Sequence, residues 1–258
     1  MDWHPTDPKL LAIAPREHGR IETRNVETGG LVSSITVYTI SQDIYTIKWS
    51  PDGSLLAAGM GASGGGASAE LRIWDVPSGM LLFSSGAGLR FIYNLKWSHD
   101  GTLLATQTGG DNVQFVTIWD ISDQSRITSL YGDTYEDEQG FDTVEPIILG
   151  DWHPITNEIA TFQSSELQLR SEAAFQPTRS VLIPPSIYDM AWSPNGDMIA
   201  LAGRGEIPFL DSETFTIFST IVTESSASIR SISWSRATNK IVFAQDRNGI
   251  QIITPPSR

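Results

Sequence analysis

A tryptophan followed by a tight-turn sequence recurs six times along the chain, at Trp3, Trp49, Trp97, Trp152, Trp192 and Trp234, in steps of 46, 48, 55, 40 and 42 residues. A unit of that length cannot bury an apolar face alone, so neighbouring units have to stack and supply one another's core. The turns read Trp-His-Pro-Thr-Asp at 3–7, Trp-Ser-Pro-Asp-Gly at 49–53, Trp-Ser-His-Asp-Gly at 97–101, Trp-His-Pro-Ile-Thr-Asn at 152–157, Trp-Ser-Pro-Asn-Gly at 192–196 and Trp-Ser-Arg-Ala-Thr-Asn at 234–239. Proline presets φ at about −65° early in such a turn, and Asp-Gly, Asn-Gly or a closing Asn supplies the residue that tolerates positive φ. Each is read as a hairpin turn.

Short apolar runs flank every turn. Ile44-Tyr45-Thr46-Ile47-Lys48-Trp49 precedes one, and Leu55-Leu56-Ala57-Ala58 and Leu103-Leu104-Ala105-Thr106 follow others. Their length and alternation predict strands. A third strand per unit is read at Leu71-Arg72-Ile73-Trp74-Asp75 and Val116-Thr117-Ile118-Trp119-Asp120, with weaker versions at Ile21–Asn25, Leu167–Arg170, Phe209–Asp211 and Ile250–Ile253. A fourth follows, as at Leu81-Leu82-Phe83 and Phe218–Val222.

Four short strands per unit, two Trp-Asp pairs closing the third strand and the repeated Trp-Ser-Pro-Asp-Gly turn resemble the WD40-repeat family over nearly the whole chain. The resemblance implies an all-β fold, a β-propeller of about six four-stranded blades. It predicts one domain over 1–258, with repeats at 1–42, 43–90, 91–140, 141–186, 187–228 and 229–258 and with the first and last blades incomplete. The family's Gly-His dipeptide is missing. Ser41-Gln42-Asp43, Gly88-Leu89-Arg90 and Pro185-Ser186 stand at those places, so the family's buried tetrad of Asp, His, Ser/Thr and Trp is not complete, with Asp111 and Trp119 as a remnant in the third blade. Ladders and apolar packing are expected to hold the blades instead.

With 40% apolar and 18% charged residues the chain can bury a sizeable core. It has no cysteine, which rules out disulfides and thiolate metal sites and fits an intracellular, cytoplasmic protein. No apolar run approaches the length of a membrane helix. Thirty acidic against 17 basic residues give a net charge of −13, which disfavours nucleic acid and anionic membrane as partners. Six of the acids, Asp133, Glu136, Asp137, Glu138, Asp142 and Glu145, fall within 13 residues lacking Lys and Arg, read as a solvated loop between the third and fourth blades. Docking of a basic partner is the alternative for that stretch, and its spacing does not match a calcium-binding loop.

Catalytic patterns do not hold up in context. Gly59-Met60-Gly61-Ala62-Ser63-Gly64 matches a dinucleotide fingerprint and Gly61–Gly65 a nucleophile elbow, yet a strand follows and not the helix both require. His4, His99 and His153 sit at turns of different units and His18 in a loop, so no ligand pair forms. The expected metal, cofactor and catalytic residues are therefore none.

The position four residues before each anchor tryptophan carries Tyr45, Tyr93, Ile148, Tyr188 and Arg230. In the resembled family this position opens the innermost strand and faces the end of the channel where partners dock. The position two earlier carries Asp43, Phe91, Pro146, Ser186 and Ser228. Tyrosine and arginine dominate many binding surfaces, although aromatics also fill channel mouths for packing alone. The expectation is a non-enzymatic scaffold or adaptor that binds a protein or peptide through Asp43, Tyr45, Phe91, Tyr93, Tyr188 and Arg230. The alternatives are a propeller module of a larger enzyme that gates or positions substrate, and a purely structural module.

Overall fold

The computed structural model describes residues 1–15, 19–37, 43–61, 69–86, 91–110, 113–136 and 142–257. His18, Asp111, the Gly-rich loop from Ala62, the junctions before Asp43 and after Gly86, and Asp137 and Glu138 lie outside the described residues. Every regular element among the described residues is a β-strand. The chain divides into two compact units, Met1–Leu149 and Gly150–Arg258.

In the first unit, blade one consists of Asp2–Trp3, Leu10–Ile13, Arg20–Asn25 and Leu31–Thr36, paired antiparallel in chain order. It reaches four strands because Asp2 and Trp3 pair with Ala12 and Leu11, where sequence alone leaves no room for a full strand. Blade two is Asp43–Trp49, Leu55–Gly61, Glu70–Asp75 and Leu81–Gly86. Blade three is Phe91–Trp97, Leu103–Gly110, Val113–Asp120 and Ser125–Leu130. A single bridge, Gly61 to Phe91, joins these two blades into one eight-stranded sheet. The acidic stretch, expected as a loop, contains a hairpin of Thr134–Glu136 with Asp142–Val144. Thr and Tyr in the first arm and Thr and Val in the second are residue types that favour pairing over a solvated coil.

Three more sheets follow, all of them in the second unit except residues 147–149 at the start of the first of the three. Ile147–Trp152, Ile159–Gln163, Glu166–Arg170 and Pro177–Leu182 make blade four. Asp189–Trp192, Met198–Ala202, Glu206–Asp211 and Thr216–Val222 make blade five. Ile229–Trp234, Ile241–Gln245 and Gly249–Ile253 make a three-stranded blade six.

Apolar packing lies between successive blades, as stacked repeats require. One cluster joins Ile21 and Val37 of blade one to Trp49, Leu56 and Trp74 of blade two. Others join Leu169 to Trp192 and Leu201, and Phe209 to Trp234 and Phe243. Trp49, Trp97, Trp152, Trp192 and Trp234 are all buried, whereas Trp3 is 56% exposed.

The recurring turns are closed by their own side chains. Ser50 Oγ donates to Asp52 and accepts from Leu55 N, Ser98 does the same with Asp100 and Leu103, and Ser193 with Asp197 and Met198. Where His replaces Ser, the ring takes over. His4 Nδ1 accepts from Asp7 N, and His153 Nδ1 accepts from Thr156 N, each at 3.1 Å. Both imidazoles also turn an edge to the next anchor, His4 to Trp49 and His153 to Trp192, with ring centroids 4.7 Å apart. Histidine here is a packing element between blades.

The Asp of the Trp-Asp pair caps the turn after the third strand. Asp75 accepts from Ser78 N and Asp120 from Ser122 N; Asn25 and Asp211 do the same in blades without the Trp. The Trp119 indole donates to Thr106 Oγ1 at 3.1 Å, a bond between two buried side chains. In blade four the strand pairing puts Arg170 opposite Ile159, the place Trp119 holds opposite Leu104. Arg170 is 7% exposed, and its Nε donates to Thr161 Oγ1 at 3.0 Å, the counterpart of Thr106. Its other nitrogens reach Phe175 O and Gln168 Oε1. Replacing Arg170 by Ala leaves buried acceptors and a void, and is expected to cost about 2–3 kcal/mol in urea unfolding. The substitution Arg170→Trp should restore most of that by remaking the indole bond to Thr161.

Candidate functional site

In blades two, three and six the first strand loses its register where the candidate residues stand. In blade two Ile44 pairs with Met60 and Thr46 with Gly59, leaving Tyr45 without a partner across the ladder. In blade three Ile92 pairs with Thr108 and Asn94 with Gln107, which leaves out Tyr93. In blade six Ile229 pairs with Gln245 and Ser231 with Ala244, which leaves out Arg230. Each is a β-bulge, a device that re-aims one side chain and sharpens the local twist. At the same position of blade five, Tyr188 stands just ahead of its strand, its N donating to Ala202 O. Tyr45, Tyr93 and Tyr188 are 39%, 36% and 40% exposed.

The candidates fall into two groups, one per unit. In the first unit the Tyr45 and Phe91 rings stack with centroids 5.1 Å apart and 23° between planes. Phe91 in turn meets Tyr93 at 6.1 Å. The three rings make a strip across the joint between blades two and three, and Asp43 stands exposed two residues before Tyr45. Gly109 is what lets Tyr93 lie down, because a Cβ there would come within 2.8 Å of the ring. The Tyr93 hydroxyl donates to Gln114 Oε1 at 2.7 Å. Burial of that hydroxyl end pushes its pKa up to about 12, so the phenol stays a neutral donor throughout the physiological range.

In the second unit the Arg230 guanidinium lies over the Tyr188 ring, 4.7 Å from its centroid. Arg230 Nε also pairs with Asp246 at 2.9 Å. Ser228 Oγ donates to the Tyr188 hydroxyl at 3.2 Å. That bond first, then one with Ser186 and the charges of Arg230 and Arg204, draw the Tyr188 pKa below that of a free phenol. Ile148, at the same position of blade four and still within the first unit, is exposed and aliphatic.

Among the described residues there is no group of three or more His, Cys, Asp or Glu side chains able to hold a metal ion. No helix of the described residues is long and apolar enough to cross a membrane.

Residues 32–75 match the family described as WD domain, G-beta repeat. No curated protein matches the sequence. Among solved structures, a chain of the "Crystal Structure of Mitotic Checkpoint Complex" superposes with a TM-score of 0.76 at 18% identity, over 99% of this chain and 75% of that one. It is one of 1364 solved chains that match, so the likeness identifies an architecture and no partner.

Proposed function

We propose that this WD40-repeat protein is a non-enzymatic platform that binds a protein or peptide on the aromatic strip Tyr45, Phe91 and Tyr93, with Asp43 beside it. Propellers of this kind are generally protein-interaction scaffolds. Fold alone does not assign a partner, so the reading rests on the site. The observation that carries it is the pair of bulges at Tyr45 and Tyr93, which turn large rings outward at the joint of two blades. Stacked rings with few rotatable bonds lose little entropy on binding, and Asp43 at the edge suits a partner with a basic residue next to an apolar one. Tyr188 and Arg230 are the corresponding contacts of the second unit.

The test introduces a photoreactive benzoylphenylalanine at Tyr45, Tyr93 or the exposed Ile155 and cross-links in lysate of the source cells. The expected result is one protein captured from both tyrosine positions and not from Ile155. Its affinity for the purified chain should fall about 30-fold or more in the Tyr45→Ala and Tyr93→Ala variants. Equal capture from all three positions, or unchanged affinity in folded variants, removes the strip as the docking surface.

A further inference from the structure

We propose that a cleft in the second unit, opened between Arg204 and Arg247, is a binding site for a phosphate monoester group. The cleft encloses about 440 Å3, within the range of small-molecule sites, about 300–1,000 Å3. It belongs to blades five and six and does not depend on the aromatic strip of the first unit.

Charge is the first argument. Asp246 lines the cleft, but Arg230 pairs with it at 2.9 Å and cancels it. Arg204 and Arg247 also line it, and neither has a carboxylate partner among the described residues. Two arginines without a carboxylate partner thus line one opening of a chain whose net charge is −13. A phosphate monoester carries a charge of about −1.5 to −2 at neutral pH and accepts hydrogen bonds on three oxygens, which a carboxylate does not match. Guanidinium groups suit that geometry because their paired N–H donors match two oxygens at once.

Hydroxyl donors complete the wall. Ser225, Ser226 and Ser228 line the same cleft, with Tyr188 beside them. The segment that carries the serines is held before any ligand arrives. The buried Gln245 amide donates to Thr223 Oγ1, Ser225 O and Ala227 O, each at 2.9 Å. Gly205 N donates to Ala227 O, and a Cβ at Gly205 would lie 2.7 Å from Ser226 Cα, so the backbone of Gly205 sits directly under the loop. Arg204 is fixed by an antiparallel bridge to Ser228. Arg247 is at the tip of the last hairpin with φ of 69°, a left-handed conformation that Gly or Asn adopts at lower cost.

The experiment is calorimetric titration of the full chain with inorganic phosphate, N-acetyl-phosphoserine amide and N-acetyl-glutamate amide. The variants are Arg204→Gln and Arg247→Asn, the second chosen because Asn tolerates the left-handed backbone. Both phosphate ligands should bind the parent chain, and each substitution should weaken them about tenfold or more, as expected for a lost charge-assisted hydrogen bond. Affinity should also fall as the pH drops through about 6, where the phosphate monoester takes up a proton. Tighter binding of the phosphoserine amide than of inorganic phosphate identifies a modified protein side chain as the occupant, and equal binding identifies a free phosphate. Binding of the glutamate amide as tight as the phosphoserine amide overturns the proposal. So does the absence of phosphate binding, or binding unchanged in variants that melt with the parent chain. Cross-linking at Tyr45 and Tyr93 reads the other unit, so either result stands without the other.

Discussion

The Trp192→Ala variant is expected to lose about 3–5 kcal/mol of stability, a fall in melting temperature of about 6–20 °C for the cooperative unit that contains it. Trp192 is buried at the seam of blades four and five, in one cluster with Leu169, Ile199 and Phe215. Its indole nitrogen donates to Asp151 O across that seam at 3.4 Å, and the His153 ring meets its face edge-on. Truncation therefore removes apolar area and leaves a cavity between two sheets that have no covalent way to close it. Trp3→Ala is the internal control. It opens the same turn motif, yet more than half of its surface is in water and its strand is two residues long. Its truncation should change stability by about 0.5 kcal/mol or less. Parallel thermal and urea melts of the two variants check both numbers, and similar losses would mean that the motif, and not its burial at a seam, sets the cost.

What could be read from sequence was what is decided locally. The turns were legible because Ser50, Asp52 and Leu55, or Ser98, Asp100 and Leu103, close a loop within five residues. Asn25 and Asp211 kept the capping role of the Trp-Asp pair, so even their weakened third strands were visible. What escaped depends on distant partners. Arg170 reads as an ordinary polar strand residue, because the Thr161 and Phe175 groups that allow its burial are not marked by spacing. The bulges at Tyr45, Tyr93 and Arg230 are written in the pairing partner's register, and the alternating run Ile44–Trp49 looks regular without it. The repeat register nevertheless reached the same positions, since a device that recurs in several blades leaves its mark as a recurrent residue type. The cleft at Arg204 and Arg247 had no such mark, because its walls come from loops about 20 and 40 residues apart that share no motif.

The second large effect concerns the glycine that ends a turn. Gly196 has φ of 76°, and a Cβ there would fall on the His153 ring, which already bonds to Gly196 O at 3.1 Å. Two separate costs therefore act on Gly196→Ala. The left-handed backbone costs an L-residue about 1–2 kcal/mol, and forcing the imidazole off its contact adds about 1–3 kcal/mol of overpacking. The variant should lose about 2–5 kcal/mol in urea unfolding. A double-mutant cycle separates the two terms. In a His153→Ser background the methyl group has space, so only the backbone share should remain, and the cycle should show a favourable coupling of about 1–3 kcal/mol between the substitutions. Gly53 lies under His4 in the same way, with φ of 77°, so Gly53→Ala with His4→Ser repeats the cycle in the other unit. Gly101 serves as the contrast, since its nearest neighbour is Pro51 Cδ at 3.4 Å and its φ is 75°. Gly101→Ala should carry the backbone cost alone, about 1–2 kcal/mol. Equal losses at all three glycines, with no coupling to the histidines, would show that the rings rest on the next blade without clamping it.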